Sequence, residues 1–290
     1  MSSSHIVIRA FEPADAGALA VLQHAEEADV RRWLGQPNLV PGRDCVLALV
    51  DGAPAGYGYL VAEPALSRGV LLAGAVDDAS DVLDALLASA TERARGLDLG
   101  VLQVDLPEKE SVARERLAAA GFTVVRSHRH LQRTTVEPTG AALPAGAVVW
   151  LAGRADMQTL TDLQNAAFTG SWGYSPNTVE EITYRVFELP TNAPDPVVLI
   201  EVGGEVLGYC WAHQERPGDP GIIDMVGVPP NRQGEGLGKA VTAAGIDELA
   251  RMGATPIEIT VDSENGPAGH VYERLGFVET WRSVWYELAL

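Results

Sequence analysis

Between Val226 and Val241 the chain reads VGVPPNRQGEGLGKAV, and Gln233, Gly234, Glu235, Gly236, Leu237, Gly238 and Lys239 stand where a β-rich run gives way to a helical pattern. Glycines at such a turn let the backbone come close to a ligand and leave several N–H groups pointing outward. The start of the helix adds partial positive charge, so the spacing suits a diphosphate. Lys239 falls in the first helical turn, where the macrodipole disfavours a cation unless a phosphate is there to meet it. The loop is not a P-loop, because Gly238-Lys239 is followed by Ala240 and not by Ser or Thr. The G-x-G-x-x-G pattern of dinucleotide sites is absent as well. A glycine-rich segment that merely turns is the alternative.

A second pattern follows 32 residues after Gln233: Asn265, Ala268, Tyr272, Gly276 and Phe277 in NGPAGHVYERLGF. Together with Val228, Gln233, Gly236 and Gly238, in this order, it resembles the paired signatures of the GNAT superfamily of acyl-CoA-dependent N-acyltransferases. The resemblance covers residues 146–290 and implies acetyl-CoA as co-substrate with no metal. It implies a pyrophosphate cradle from the Gln233–Lys239 backbone. It also implies a strand at Val226, Gly227 and Val228 running beside the pantetheine, with an N–H aimed at the thioester carbonyl. Asn265 would contact the pantetheine arm. Tyr272 would lie near the sulfur and protonate the departing thiolate, work that suits a phenol because it is neutral at pH 7 and still donates. A core tyrosine on the helix face shared with Leu275 is the other possibility for Tyr272.

Direct attack by an amine needs a group to take its proton, commonly a carboxylate on the strand before the glycine loop. A frequent position for that base in the superfamily falls here on Ile222. Asp224, two residues on, shares a strand face with Ile222. Its apolar neighbours Ile223, Met225 and Val226 make an unpaired carboxylate there costly. Either Asp224 serves the reaction or it pairs with an arginine. His213, in YCWAHQ, is a second candidate for the base or for substrate contact, with a pKa suited to neutral pH, and a surface histidine otherwise. His270 is a further possibility. Trp172 and Tyr174, in a loop between two helices, either line the acceptor site or pack against neighbouring structure. Glu180 and Glu181 read as first-turn helix acids. Trp281 and Trp285 alternate along the last strand and read as core.

These residues need elements to hold them, and the chain contains such a set twice. Asp15, Leu19, Leu22, Gln23 and Ala25 match Asp156, Leu160, Leu163, Gln164 and Ala166 at a constant offset of 141. Gly52, Gly56 and Tyr57 align with Gly204, Gly208 and Tyr209, each set in two β-rich runs joined by a glycine turn. LAAAGF (117–122) answers YERLGF (272–277). Three correspondences in one order indicate a duplication of about 140 residues. The expected fold is α/β: two tandem GNAT-like domains, each a mixed, largely antiparallel central sheet flanked by helices. The domains span 1–135 and 148–290, joined by a linker at 136–147. This tandem arrangement resembles that of the mycothiol synthases. The first copy lacks the chemistry. Asp77-Asp78-Ala79-Ser80-Asp81 replaces the glycine loop, and Leu117 stands where Tyr272 would match. Residues 1–135 therefore read as a degenerate GNAT domain that keeps the fold.

Composition bounds what remains. A net charge of −18 excludes a basic face for nucleic acid. Cys45 and Cys210 give neither a disulfide framework nor zinc spacing. No stretch approaches a membrane span, and the N-terminus lacks the apolar core of a signal peptide, so a cytoplasmic protein is expected. The acidity is concentrated in residues 141–290, with 8 basic and 20 acidic side chains. It either solubilises that half or gathers a cationic acceptor. The expected activity is transfer of acetyl from acetyl-CoA to the primary amine of a small molecule. The alternatives are acetylation of a cysteinyl amino-sugar conjugate, the mycothiol synthase reaction, and an acyl-CoA-binding sensor without catalysis. A monomer and a homodimer are both open.

Overall fold

The computed structural model describes residues 5–290. Met1–Ser4, part of the N-terminal stretch read above as having no signal peptide, lie outside the described residues. The described residues form two compact units, 5–127 with Arg282–Leu290, and His128–Trp281.

In the first unit, β1 (Ile6–Ala10), α1 (Ala16–Gln23), α2 (Glu27–Leu34) and a short α3 (Pro41–Asp44) precede a hairpin of β2 (Cys45–Val50) and β3 (Ala53–Glu63). Next come β4 (Arg68–Ala75), α4 (Ser80–Gly96), β5 (Val101–Pro107) and α5 (Ser111–Ala119), and then β6 (Thr123–Arg133) begins. The second unit repeats the order. It has β7 (Ala147–Leu151), α6 (Met157–Phe168), α7 (Val179–Phe187), β8 (Val197–Val202), β9 (Glu205–His213) and β10 (Gly221–Gly227). It continues with α8 (Leu237–Arg251), β11 (Ile257–Asp262) and α9 (Gly266–Arg274), and β12 (Val278–Ala289) follows. Within each unit the sheet is antiparallel except for one parallel pair, β4 with β5 and β10 with β11.

The duplication is visible in small details. Asp15 accepts the backbone N–H of Glu12 at 2.7 Å, and Asp156 accepts that of Gly153 at 2.8 Å, each closing the turn before a helix. Both hairpins carry a register shift, at Ala48/Leu49 and at Ile200/Glu201. Tyr57 faces Gly74 across β3 and β4, and Tyr209 faces Gly227 across β9 and β10. In both pairs a Cβ on the glycine would run into the tyrosine ring, so glycine is required.

The compact units do not coincide with the two halves of the repeat. His128–Asp262 pairing brings residues 128–133 of β6 alongside β11 in the second unit, and Ser283–Ala289 of β12 pairs with β5 in the first. Each sheet thus finishes on a strand from the other half of the sequence. The repeat boundary at 136–147 records homology between segments, whereas hydrogen-bonded partners decide the units.

The second unit's core explains its helices. Met157, Leu160 and Leu163 on one face of α6 meet Ile182 and Val186 of α7 over Tyr209 and Trp211. On the opposite layer, Val241, Ile246 and Leu249 of α8 pack with Cys210, Ala212 and Ile223. Val197–Ile200 of β8 is buried throughout, as a central strand covered on both faces must be. Trp281 departs from its expected place in the core: it is 45% exposed and stacks on His130 with ring centroids 3.4 Å apart. A flat face on an outward position is satisfied by one aromatic neighbour. No described helix is long and apolar enough to cross a membrane.

Gly245 lets α8 seat directly on Cys210, because an added Cβ would overlap the Cys210 sulfur. Gly245→Ala should lose about 1–3 kcal/mol to overpacking, against about 1 kcal/mol gained in helix propensity. A lower midpoint of urea unfolding is the expected outcome; a higher one would mean that the thiol gives way.

Candidate active site

Parallel pairing of β10 with β11 covers only Gly221–Ile223 against Ile257–Ile259. At that point β10 shifts register against β9, between Ile223 and Met225, so Asp224 sits on a bulge. Beyond it, Met225, Val226 and Gly227 keep their β9 partners while the β11 side of the strand is unpaired. A gap with free backbone groups opens beside the strand that leads into the glycine loop.

Gly234 and Gly236 hold left-handed backbone at φ 86° and 80°, with open space where a Cβ would be. The first backbone bond into α8 runs from Ala240 N–H to Gly236 O at 3.1 Å. The N–H groups of Leu237, Gly238 and Lys239 precede it and have no helical acceptor. Gln233 braces the turn by donating to Val228 O at 3.1 Å. Glu235 is drawn to Arg232 at 3.2 Å, and Lys239 is exposed with no ion pair among the described residues. The arrangement fits a diphosphate: orphan N–H donors, a helix start and a free cation.

Tyr272 is 8% exposed and edge-on to Phe277 at 6.2 Å. Its ring belongs to the core cluster, yet its hydroxyl has no hydrogen-bond partner among the described residues. Burial, with the nearby Cys210 thiol, pushes its pKa above the usual phenol value, so it remains protonated. Asn265 caps α9, its Oδ1 accepting the Ala268 N–H at 3.2 Å. The cap uses the carbonyl and leaves the amide NH₂.

Asp224 keeps an open face to solvent, and no arginine pairs with it among the described residues. The protein packed around the rest of the carboxylate, and the charge of Asp195, push its pKa up to about 6. His213 and Arg185 oppose that rise without cancelling it. Asp195 is the residue that sequence reasoning missed. It is 8% exposed and accepts Trp211 Nε1–H at 2.8 Å, while its other oxygen lies 2.6 Å from His213 Nδ1. The signal was slight, one aspartate between Pro194 and Pro196 ahead of a strand. His213 Nε2 meets Glu215 at 3.1 Å. The Asp195 hydrogen bond chiefly raises the His213 pKa to about 9, so the ring is an imidazolium at neutral pH. In that state the ring, bonded at both nitrogens, has no lone pair to offer.

The remaining candidates separate. Tyr174 donates to Asn165 Oδ1 at 2.5 Å and stacks on Phe168 at 5.3 Å, so its polar end secures the loop. Trp172 lies edge-on to His128 at 6.3 Å. Glu181 forms a capping box with Thr178, and His270 is exposed over Gly266 O at 2.9 Å. Ile222 is 38% exposed and pairs with His213 across the strands.

Residues 157–277 match the family model described as Acetyltransferase (GNAT) family. The mycothiol acetyltransferase of Streptomyces griseus subsp. griseus is 32% identical over 275 residues, 89% of this chain and 87% of the relative. That of Actinosynnema mirum is 29% identical over 307 residues, 96% and 97% of the two chains. Among solved structures, the tandem GNAT protein from the clavulanic acid biosynthesis pathway superposes with a TM-score of 0.77 at 18% identity, over 99% of this chain and 98% of that one. A GCN5-related N-acetyltransferase from Sphaerobacter thermophilus gives 0.72 at 20% identity, over 98% and 95%. At such identities the structures speak for the tandem fold alone. The chain belongs to the GNAT acetyltransferase family. It is an acyl-CoA-dependent N-acetyltransferase.

Two outcomes follow from the Asp195–His213–Asp224 cluster. With Asp224 as the base, kcat/KM should climb as pH rises through about 6; Asp224→Asn should remove about a hundredfold of the rate together with that limb. A limb that survives in the variant belongs to another group. For His213, the folded pKa is the raised one, so its charge stabilises fully below the ordinary 6.5 and loses effect as pH passes about 9. Asp195→Asn should therefore lower the Tm at pH 7, with the gap to wild type narrowing above pH 9.

Proposed function

We propose that the second unit transfers acetyl from acetyl-CoA to the primary amine of a small cationic molecule by direct attack. Asp224 takes the ammonium proton and frees the lone pair. The nitrogen bonds to the acyl carbon as the C–S bond breaks, Tyr272 gives its hydroxyl proton to the departing thiolate, and the second proton on the nitrogen of the new amide returns to the tyrosine oxygen. Backbone at Val226, Gly227 and Val228 lies along the pantetheine, with one N–H polarising the thioester carbonyl. Gln233–Lys239 takes the diphosphate, and the Asn265 amide reaches the pantetheine arm. Trp172 supplies an apolar wall for the acceptor.

What carries this reading is the position of Asp224: a carboxylate with its pKa near 6, on the bulge where β10 parts from β11. A base poised below working pH is ionised and still basic enough to serve. The acidic half that holds it would gather a protonated amine and repel other anions.

A second reading is favoured by the full-length relatives named mycothiol acetyltransferase. In it the acceptor is the cysteinyl amino-sugar conjugate. Ile222 at a frequent base position of the superfamily weighs towards a distinct acceptor geometry, with Asp224 one full pleat further along the strand.

Thiol release from acetyl-CoA, measured over a panel of primary amines that includes the cysteinyl amino-sugar conjugate, separates the readings. The expected result is a strong preference for one amine, a KM that rises with salt, and about a hundredfold loss of kcat in Tyr272→Phe. Full activity in Tyr272→Phe would reassign the acid. Tight CoA binding with no thiol release for any amine would favour the sensor.

A further inference from the structure

The first unit keeps the same opening with a different lining. β4 and β5 pair in parallel only over Arg68–Val70 and Val101–Gln103. Beyond that point Leu71–Ala73 and Val104–Leu106 part around a cavity of about 360 Å³. Such a volume is enough for a small ligand. Leu83 and Leu87 of α4 and Leu117 of α5 close one side, and Trp33, Tyr57 and Tyr59 the other.

Where the second unit offers a diphosphate cradle, this one is blocked. Ser80 begins α4 with no glycine before it, and Asp77 and Asp81 are exposed carboxylates at the turn. Asp81 Oδ1 itself accepts the Val82 N–H at 3.0 Å, so a donor at the helix start is already used. Two negative charges there repel an anion.

The polar groups in the cavity wall are mostly engaged. Asp105 accepts from Ser283 at 3.2 Å, and Arg116 pairs with Asp84 at 3.3 Å. Gln23 donates from Nε2 to the Tyr59 hydroxyl at 2.8 Å, which fixes the amide with its Oε1 unpaired among the described residues. The Gln23 oxygen is thus an acceptor left open on a mostly apolar wall that also carries the Tyr57 hydroxyl and the Trp33 indole N–H.

We propose that the first unit binds an uncharged, mostly apolar small molecule whose head group donates a hydrogen bond, as a primary alcohol does, and that it does not take CoA. The apolar lining supplies the affinity through burial, and the Gln23 oxygen orients the head. The duplicated fold has kept its cleft while exchanging an anionic ligand for a neutral one.

The test uses the full-length protein with saturating acetyl-CoA, so that the second unit is filled, in every sample but a Gly236→Glu control to which acetyl-CoA is added last. Titration with the neutral fluorophore N-phenyl-1-naphthylamine should saturate at a single site. Decan-1-ol should displace it, and decanoate should do so about tenfold less well. Ala73→Phe and Leu83→Trp fill the cavity from two elements, and each should weaken the probe about tenfold while CoA binding and turnover stay unchanged. Absence of probe binding would overturn the proposal, as would equal binding to wild type and to both filled variants that retain turnover. So would displacement of the probe by acetyl-CoA in a Gly236→Glu protein, where the second-unit loop is obstructed.

Discussion

β10 and β11 share three residues of parallel register and then separate. That separation is the constraint on which the site depends. Backbone groups on a strand must find partners, and a strand that loses its neighbour halfway along offers those groups to a ligand. The bulge at Asp224 marks the place, and Gly227 holds it open by letting Tyr209 lie flat against the strand. Everything after it in sequence, the turn braced by Gln233 and the orphan N–H groups at the start of α8, continues the same unpaired edge.

Charge is divided along that edge. The glycine loop concentrates donors and Lys239, while the opposite part of the unit collects Asp195, Asp224 and Glu215 about one imidazolium. Asp195 is the quiet member of this group. Held by the Trp211 indole and by His213, it cannot move away, and its fixed negative charge helps to lift the Asp224 carboxyl into a useful range. His213 limits the rise.

The duplication shows what a fold preserves when its loops diverge. The Asp15 and Asp156 turns, the shifted hairpins and the tyrosine–glycine pairs recur because each solves a backbone problem that any copy must solve. The glycine loop does not recur: the first copy has Asp77, Asp78 and Asp81 in its place. The early parting of the parallel strands persists in both, because it arises from the sheet and not from what fills the gap.

Periodicity, glycine placement and two ordered motifs were legible in the sequence: the duplication, the mixed sheets, the glycine turn into α8 and the position of Tyr272 all rest on local spacing. Local spacing is fixed by helix and strand geometry, so it survives without coordinates. Asp195 was not legible, since nothing near Pro194 and Pro196 says that residues 16 and 18 positions later, Trp211 and His213, will be set upon it. The protonated state of His213 and the outward stacking of Trp281 on His130 were hidden for the same reason. The placement of residues 128–133 and 283–289 at the ends of sheets also depends on partners distant in sequence. Charge state, burial and strand pairing are properties of neighbours brought together from afar, and only the tertiary structure chooses those neighbours.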